Sequence, residues 1–395
     1  MRMEKYVLTV ENCVSYCKAK GFFNSSEEKM EVEEIGDGNL NFVFRVKSTS
    51  NSIIVKQAPP YLKVVGDSWP LTVDRIRIEA ESLEIQNRCA PGKVPKILLK
   101  DLEMAVMILE DLAPMQVVRY EMLKGVQFPT LSKDVGEFLA SMAFYSSDFY
   151  LSGEEKRKMV EKFSNPELCK ITEELIFTDP YYDAKSNAIN PELKMYLESE
   201  FWRDEQLKVE VTKLKYLFLN STESLLHGDL HTGSLFGSHE RCVVFDTEFS
   251  FYGPTAFDIG KLIGNLIINY YSWEGVELKE KVAYQHYVKG VIQALWGTFS
   301  QKFRELVNLK STQKLMSESF LNVYLQELFS NMVGFAGTTM VRRMHGLAHN
   351  RDVDRIEDLQ VRAQIQERIL KKAREIILNR NRVETIDKFI EMIKA

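Results

Sequence analysis

Apolar and polar positions alternate through the first part of the chain and change to helical spacing beyond it. Phe42, Phe44 and Val46 alternate with Val43, Arg45 and Lys47, the period-two pattern of a half-buried strand. With Val32 to Ile35 ahead of it and the turn Gly36-Asp37-Gly38 between, it predicts a hairpin. A third strand spans Ser52 to Gln57 and stops at Pro59-Pro60. Two more run from Val94 to Lys100 and Met104 to Leu109, around a turn at Asp101. A loosely patterned helix precedes the sheet over 4–21, and a charged amphipathic helix is expected over 72–90. The stretch 61–71, with Trp69-Pro70 at its tip, reads as a loop long enough to act as a lid. From Leu131 onward the spacing is helical, broken at Asn165-Pro166, Asp179-Pro180 and Asn190-Pro191. The expectation is an α+β fold: a small antiparallel-sheet domain over 1–112, then a larger, mainly helical one over 113–395.

Composition narrows the function classes. A chain of 395 residues exceeds what one hydrophobic core usually serves. With 45 % hydrophobic and 27 % charged residues and a net charge of −5, it lacks the basic footprint of a nucleic-acid binder. No apolar run is long enough to span a membrane. Charge within the first residues argues against an export signal, so a cytoplasmic protein is expected. The five cysteines are scattered without a C-x-x-C pair and read as reduced thiols.

The chemistry concentrates in two stretches. Leu225-Leu226-His227-Gly228-Asp229-Leu230-His231 and Val243-Val244-Phe245-Asp246-Thr247-Glu248 each lead an apolar run into carboxylates. Read as a strand end, the second aims Asp246 and Glu248 to one face, fit for one cation, and turns Thr247 away. Three carboxylates about a glycine-softened loop suit a magnesium–phosphate site; the plain alternative is a turn whose acids cap backbone groups. Lys56 within an apolar strand needs a partner anion. Glu79, Glu81 and Glu84 in the following helix are candidates, with Glu79 preferred. The segment Glu110-Asp111-Leu112 before Ala113-Pro114 reads as a hinge whose backbone can meet an adenine edge. Asp258, near a helix start, is expected to cap the loop that holds Asp229. Arg342-Arg343 interrupts an apolar helix and implies an anionic partner. His345 and His349 have zinc-ligand spacing but no third ligand in a H-E-x-x-H pattern, so a metal role is not assigned.

The order of these parts resembles protein-kinase-like small-molecule kinases. His227-Gly228-Asp229-Leu230-His231 is similar to the loop of aminoglycoside phosphotransferases and choline kinases. Residues 34–41, 64–72, 227–234, 246–249 and 340–343 together resemble the methylthioribose kinases. Two departures from the wider kinase pattern fit that branch: Asp-x-Glu stands where kinases have Asp-Phe-Gly, and Ser234 stands where an asparagine metal ligand is common. The resemblance implies a bilobal fold and ATP-dependent phosphorylation of the 1-hydroxyl of 5-methylthioribose, a step of methionine salvage. It implies ATP and Mg2+ as cofactors and a cytoplasmic homodimer that binds neither nucleic acid nor membrane. Asp229 would be the catalytic base and His227 a support. Gly36, Gly38, Asn39, Asn41, Lys56, Glu110, Asp111, Leu112 and Thr247 would bind ATP, with Asp246 and Glu248 as metal ligands. Arg342, Arg343 and Trp69 would meet the substrate; neighbouring helix residues diverge by about 100°, so one arginine is expected to enter the site, and the resemblance favours Arg342. An aminoglycoside, choline or homoserine kinase is the alternative, and a non-catalytic nucleotide-binding relative is a third.

Overall fold

The computed structural model describes residues 6–24, 30–35, 40–63, 66–277, 279–311, 313 and 315–394. The chain divides into two compact units, Met1–Pro114 with Phe245–Phe249, and Met115–Val244 with Ser250–Ala395. The antiparallel sheet lies in the first and the helices dominate the second, the α+β class expected.

The first unit contains α1 (Val10–Ala19), β1 (Glu31–Glu34), β2 (Phe42–Lys47), β3 (Ser52–Gln57), β4 (Tyr61–Leu62), β5 (Gly66–Pro70), α2 (Arg75–Cys89), β6 (Ile97–Asp101) and β7 (Val106–Glu110). The sheet order is β1-β2-β3-β7-β6, antiparallel throughout. Alternation decides its two faces. Phe44 and Val46 of β2, Ile53 and Val55 of β3, and Val106 and Ile108 of β7 form one core with Cys13, Tyr16 and Cys17 of α1. Lys56 therefore emerges on the opposite face. The stretch expected as a lid loop instead pairs as β4 with β5, Tyr61 opposite Pro70, across a register shift. Gln57 ends β3 by bonding the chain on either side of it, taking Leu8 N at 2.7 Å and donating to the Met104 carbonyl at 3.1 Å.

The second unit contains β8 (Gln116–Val117), α3 (Val118–Met122), α4 (Leu131–Tyr145), α5 (Gly153–Lys162), α6 (Pro166–Phe177), α7 (Lys194–Ser199), α8 (Glu205–Asn220), β9 (Ser224–Leu225), β10 (Leu235–Gly237), β11 (Cys242–Val244), β12 (Tyr252–Gly253), α9 (Ala256–Ser272), α10 (Lys281–Lys310), α11 (Glu318–His345), α12 (Arg351–Asp354), α13 (Leu359–Asn379) and α14 (Ile386–Lys394). Pro166, Pro180 and Pro191 begin helical turns rather than merely end them, because the missing N–H is an orphan at a first turn anyway. α9 is buried almost all round and packs on α11. A side chain at Gly260 would meet the Met332 carbonyl at 2.5 Å, so glycine there lets the helices close up. Among the described residues no helix is long and apolar enough to cross a membrane.

Candidate active site

In the first unit, Lys56 is 6 % exposed. A buried ammonium without a counter-ion would be costly. Its Nζ donates to Glu79 Oε1 at 2.8 Å and also to Asp246 Oδ1. Asn41, at the entry to β2, donates to Glu248 Oε2 at 2.6 Å and accepts from Arg75 Nε at 3.0 Å. Arg75 is fully buried at the start of α2; it lies 3.7 Å from Glu248 and donates to the carbonyls of Leu40 (3.1 Å), Pro59 (2.7 Å) and Thr72 (2.6 Å). Lys56 thus meets the carboxylates of Glu79 and Asp246, and Arg75 lies near that of Glu248. Burial opposes the charge on Lys56, but Asp246, Glu79 and Glu248 hold its pKa above the ordinary value. Burial pushes Glu79 up to about 8 against the pull of Lys56, and raises Glu248 with help from Asp246.

The strand leading to these acids is shorter than expected. β11 stops at Val244, and Asp246 has a φ of 68°. Strand alternation therefore does not govern the pair. A left-handed residue redirects the chain, which an aspartate tolerates better than most. Asp246 is left with its side chain 44 % exposed, while Glu248 and Thr247 are buried.

In the second unit, the loop from His227 to Ser234 is held at both ends. Asp258, in the first turn of α9, accepts the backbone N–H of His227 at 2.6 Å and of Gly228 at 3.0 Å. Gly228 itself sits at φ 83°, a conformation that costs glycine little. Ser234 Oγ accepts the His231 N–H at 2.9 Å and lies 3.2 Å from the Asp229 carbonyl. The Ser234 hydroxyl therefore closes the loop. The side chain of Asp229, 24 % exposed, carries Lys261 on Oδ1, with Arg342 Nη1 3.9 Å from the same oxygen. His231 Nδ1 accepts the Gly233 N–H at 2.9 Å, which leaves the proton on Nε2, 3.5 Å from Asp229 Oδ2.

Burial alone would raise the Asp229 pKa, but Lys261, His231 and Arg342 hold it well below the ordinary carboxylate value. Burial pulls Lys261 down to about 8 despite Asp229, and His231 down to about 3, so the imidazole is neutral. Arg343 points elsewhere than Arg342, donating to the carbonyls of Ala348 (3.2 Å) and His349 (3.4 Å).

Of the residues read from sequence, Asn41, Lys56, Glu79, Asp246 and Glu248 come together in the first unit. His227, Asp229, Asp258 and Arg342 come together in the second. Glu110 ends β7, and its carboxylate accepts Lys96 N at 2.8 Å. The Asp111 carboxylate binds Arg45 Nε (2.9 Å), Ser52 Oγ (2.6 Å) and Ala113 N (3.1 Å), a brace at the end of the sheet. Leu112 is buried. Gly36, Gly38 and Asn39 lie outside the described residues, as does the side chain of Trp69. His345 Nε2 meets the Pro180 carbonyl at 2.6 Å, while His349 pairs through Nδ1 with Asp354 at 3.3 Å; among the described residues no cluster of three metal-ligating side chains occurs.

Arg75 and Lys261 escaped the sequence reading, which named His231 within the loop motif but gave it no role. Lys261 had a signal: it lies one helical turn after Asp258 in an apolar run, and so on the same face. Arg75 had none, because its role depends on carbonyls and acids distant in the chain.

A buried lysine between a helix glutamate and Asp246 in the first unit, and an anchored His-Gly-Asp loop in the second, are the parts of a phosphotransferase. The chain belongs to the Phosphotransferase enzyme family, whose pattern it matches over residues 31–287. Within it, the chain belongs with the methylthioribose kinases. It is 43 % identical over 378 residues to the methylthioribose kinase of Bacillus cereus (strain B4264), covering 95 % of this chain and 93 % of that protein. It matches the methylthioribose kinase of Bacillus thuringiensis (strain Al Hakam) at the same identity and coverage. Among solved structures, choline kinase from Cryptosporidium parvum Iowa II superposes with a TM-score of 0.49 at 13 % identity, covering 97 % of this chain and 98 % of that one.

Proposed function

We propose that this chain transfers the γ-phosphoryl group of ATP to the 1-hydroxyl of 5-methylthioribose, giving 5-methylthioribose 1-phosphate in methionine salvage. The observation that carries this reading is 43 % identity to methylthioribose kinases over 95 % of the chain. Nucleotide binding is assigned to residues 1–112 with the 246–248 acids, and the acceptor to residues 113–395. Lys56, held by Glu79, binds the α- and β-phosphates, a recurring device of phosphoryl transfer. Asn41 and the 36–39 turn cover the nucleotide, and the backbone of Glu110 to Leu112 meets the adenine. Asp246 and Glu248 would hold Mg2+, which supplies neutralising charge on the phosphates. Their fit is supported by the donor chemistry of the two carboxylates and by the exposure of Asp246. Two carboxylates plus phosphate oxygens and water are a usual magnesium set.

Asp229 orients the acceptor hydroxyl and takes its proton as the bond to phosphorus forms. With its pKa held low it is a weak base, so the proton moves late. Arg342 offsets the charge of the transferring group, and Trp69 belongs to the acceptor side. A cationic acceptor such as choline or an aminoglycoside would meet Lys261 and Arg342 around Asp229; a neutral thiosugar meets no such repulsion. A homodimer in the cytoplasm completes the reading, supported by the family resemblance. ATP consumption by the purified protein across methylthioribose, choline, homoserine and an aminoglycoside tests it. Response to methylthioribose is expected; response only to another acceptor would overturn the assignment.

A further inference from the structure

α9 grips the Asp229 loop twice. Asp258 binds the backbone of His227 and Gly228, and one turn later Lys261 reaches the Asp229 carboxylate itself. Lys261 is 1 % exposed. Its Nζ also lies 3.4 Å from the Gly228 carbonyl and 5.2 Å from the centre of the Phe257 ring. A lysine buried this deeply is expensive, and the groups it serves are the carboxylate and carbonyl of two successive loop residues. We propose that Lys261 is a positioning residue for phosphoryl transfer: its ammonium fixes Asp229 Oδ1, so that Oδ2 alone is presented to the acceptor hydroxyl. The inference rests on Asp229 being the acceptor-side base.

The geometry divides the two oxygens. Oδ1 faces Lys261 and, at 3.9 Å, Arg342, whereas Oδ2 faces the neutral His231 Nε2, at 3.5 Å. The charged groups that face Lys261 are Asp229 on the loop, Arg342 and Arg343 on α11, and Asp258 on its own helix. Burial, joined by the two arginines, lowers its hold on a proton and Asp229 raises it, so the pair comes apart when Lys261 deprotonates, near pH 8.

Lys261→Met keeps much of the stem and removes the charge. Expected is a kcat lower by about 10- to 100-fold, the scale of a misplaced catalytic group, with KM for ATP changed far less. The Asp229 carboxyl, followed by 13C NMR of aspartate-labelled protein and assigned with Asp229→Asn, should titrate about one to three units higher than in the wild type. Wild-type kcat and an unmoved Asp229 titration would overturn the proposal. Lys261→Arg guards against a variant that fails to fold. Wild-type kcat is expected to decline above about pH 8, and because a guanidinium stays protonated that decline should move upward in Lys261→Arg; a wild-type profile without the decline, or one unmoved in this variant, also overturns the proposal. The wild-type control separates the two readings: no turnover of methylthioribose defeats the substrate assignment, while the NMR titration still judges Lys261.

Discussion

The Asp258 carboxylate accepts the backbone N–H of His227, 31 positions earlier in the chain, at 2.6 Å, so the loop that begins there hangs from the first turn of α9. The second oxygen takes Gly228 N at 3.0 Å. Asp258 is 3 % exposed, and its pKa is raised by burial against the pull of His227. Replacing it by alanine leaves two buried donors without that acceptor, at about 1–3 kcal/mol each. Asp258→Ala should therefore melt several degrees lower and lose kcat. Asp258→Asn, which keeps one oxygen, should fall between; thermal melts beside steady-state kinetics check the order.

Asp229→Asn removes the base and the ion pair with Lys261 while keeping the shape. Turnover should fall by about 10²- to 10⁴-fold, the usual range for general-base help. Nucleotide affinity by calorimetry should change little, because Asp229 belongs to the second unit and the Lys56 cluster to the first. Retained turnover would sink the assignment.

Lys56→Met leaves Glu79 buried without its ammonium. Removing one partner of such a pair costs about 3–5 kcal/mol, eased here because Glu79 already leans toward protonation. Reduced stability and a large loss of ATP affinity are expected together. Glu79→Gln keeps a polar partner for Lys56 and should weaken ATP binding less. Equal nucleotide affinity in wild type and Lys56→Met would remove Lys56 from the nucleotide site.

Acid stability should report a buried histidine. His345 Nε2 donates to the Pro180 carbonyl at 2.6 Å, and its Nδ1 has no hydrogen-bond partner among the described residues. Burial lowers its pKa from 6.5 to about 4. The unfolded chain therefore binds the extra proton first. Stability contributed by the neutral ring is complete above pH 6.5 and is lost as pH falls toward 4, reaching about 2 kcal/mol at pH 5. His231, lowered to about 3, acts in the same sense, and His349, raised, in the opposite one. The test is the difference between wild type and His345→Gln: the variant should lose less stability between pH 7 and pH 5, and parallel curves would refute the account.

The amino-acid order by itself determined the sheet, through the alternation of Phe44 and Val46 and of Ile53 and Val55, and the need of Lys56 for an anion. It also carried the His227–His231 and Asp246–Glu248 motifs, because short-range periodicity and costly buried charges are written locally. It misjudged 61–71, where a two-stranded pairing replaces a loop, since pairing depends on a partner strand more than on local propensity. It extended β11 too far, since nothing local announces that Asp246 turns left-handed. The tertiary structure alone decided that Lys261 and Arg342 share one oxygen of Asp229 and that Arg75 braces Asn41. These residues lie 32 to 113 positions apart along the chain. Only the packing of α9 on α11, and the folding of α2 onto the sheet, brings such charges within reach of one another.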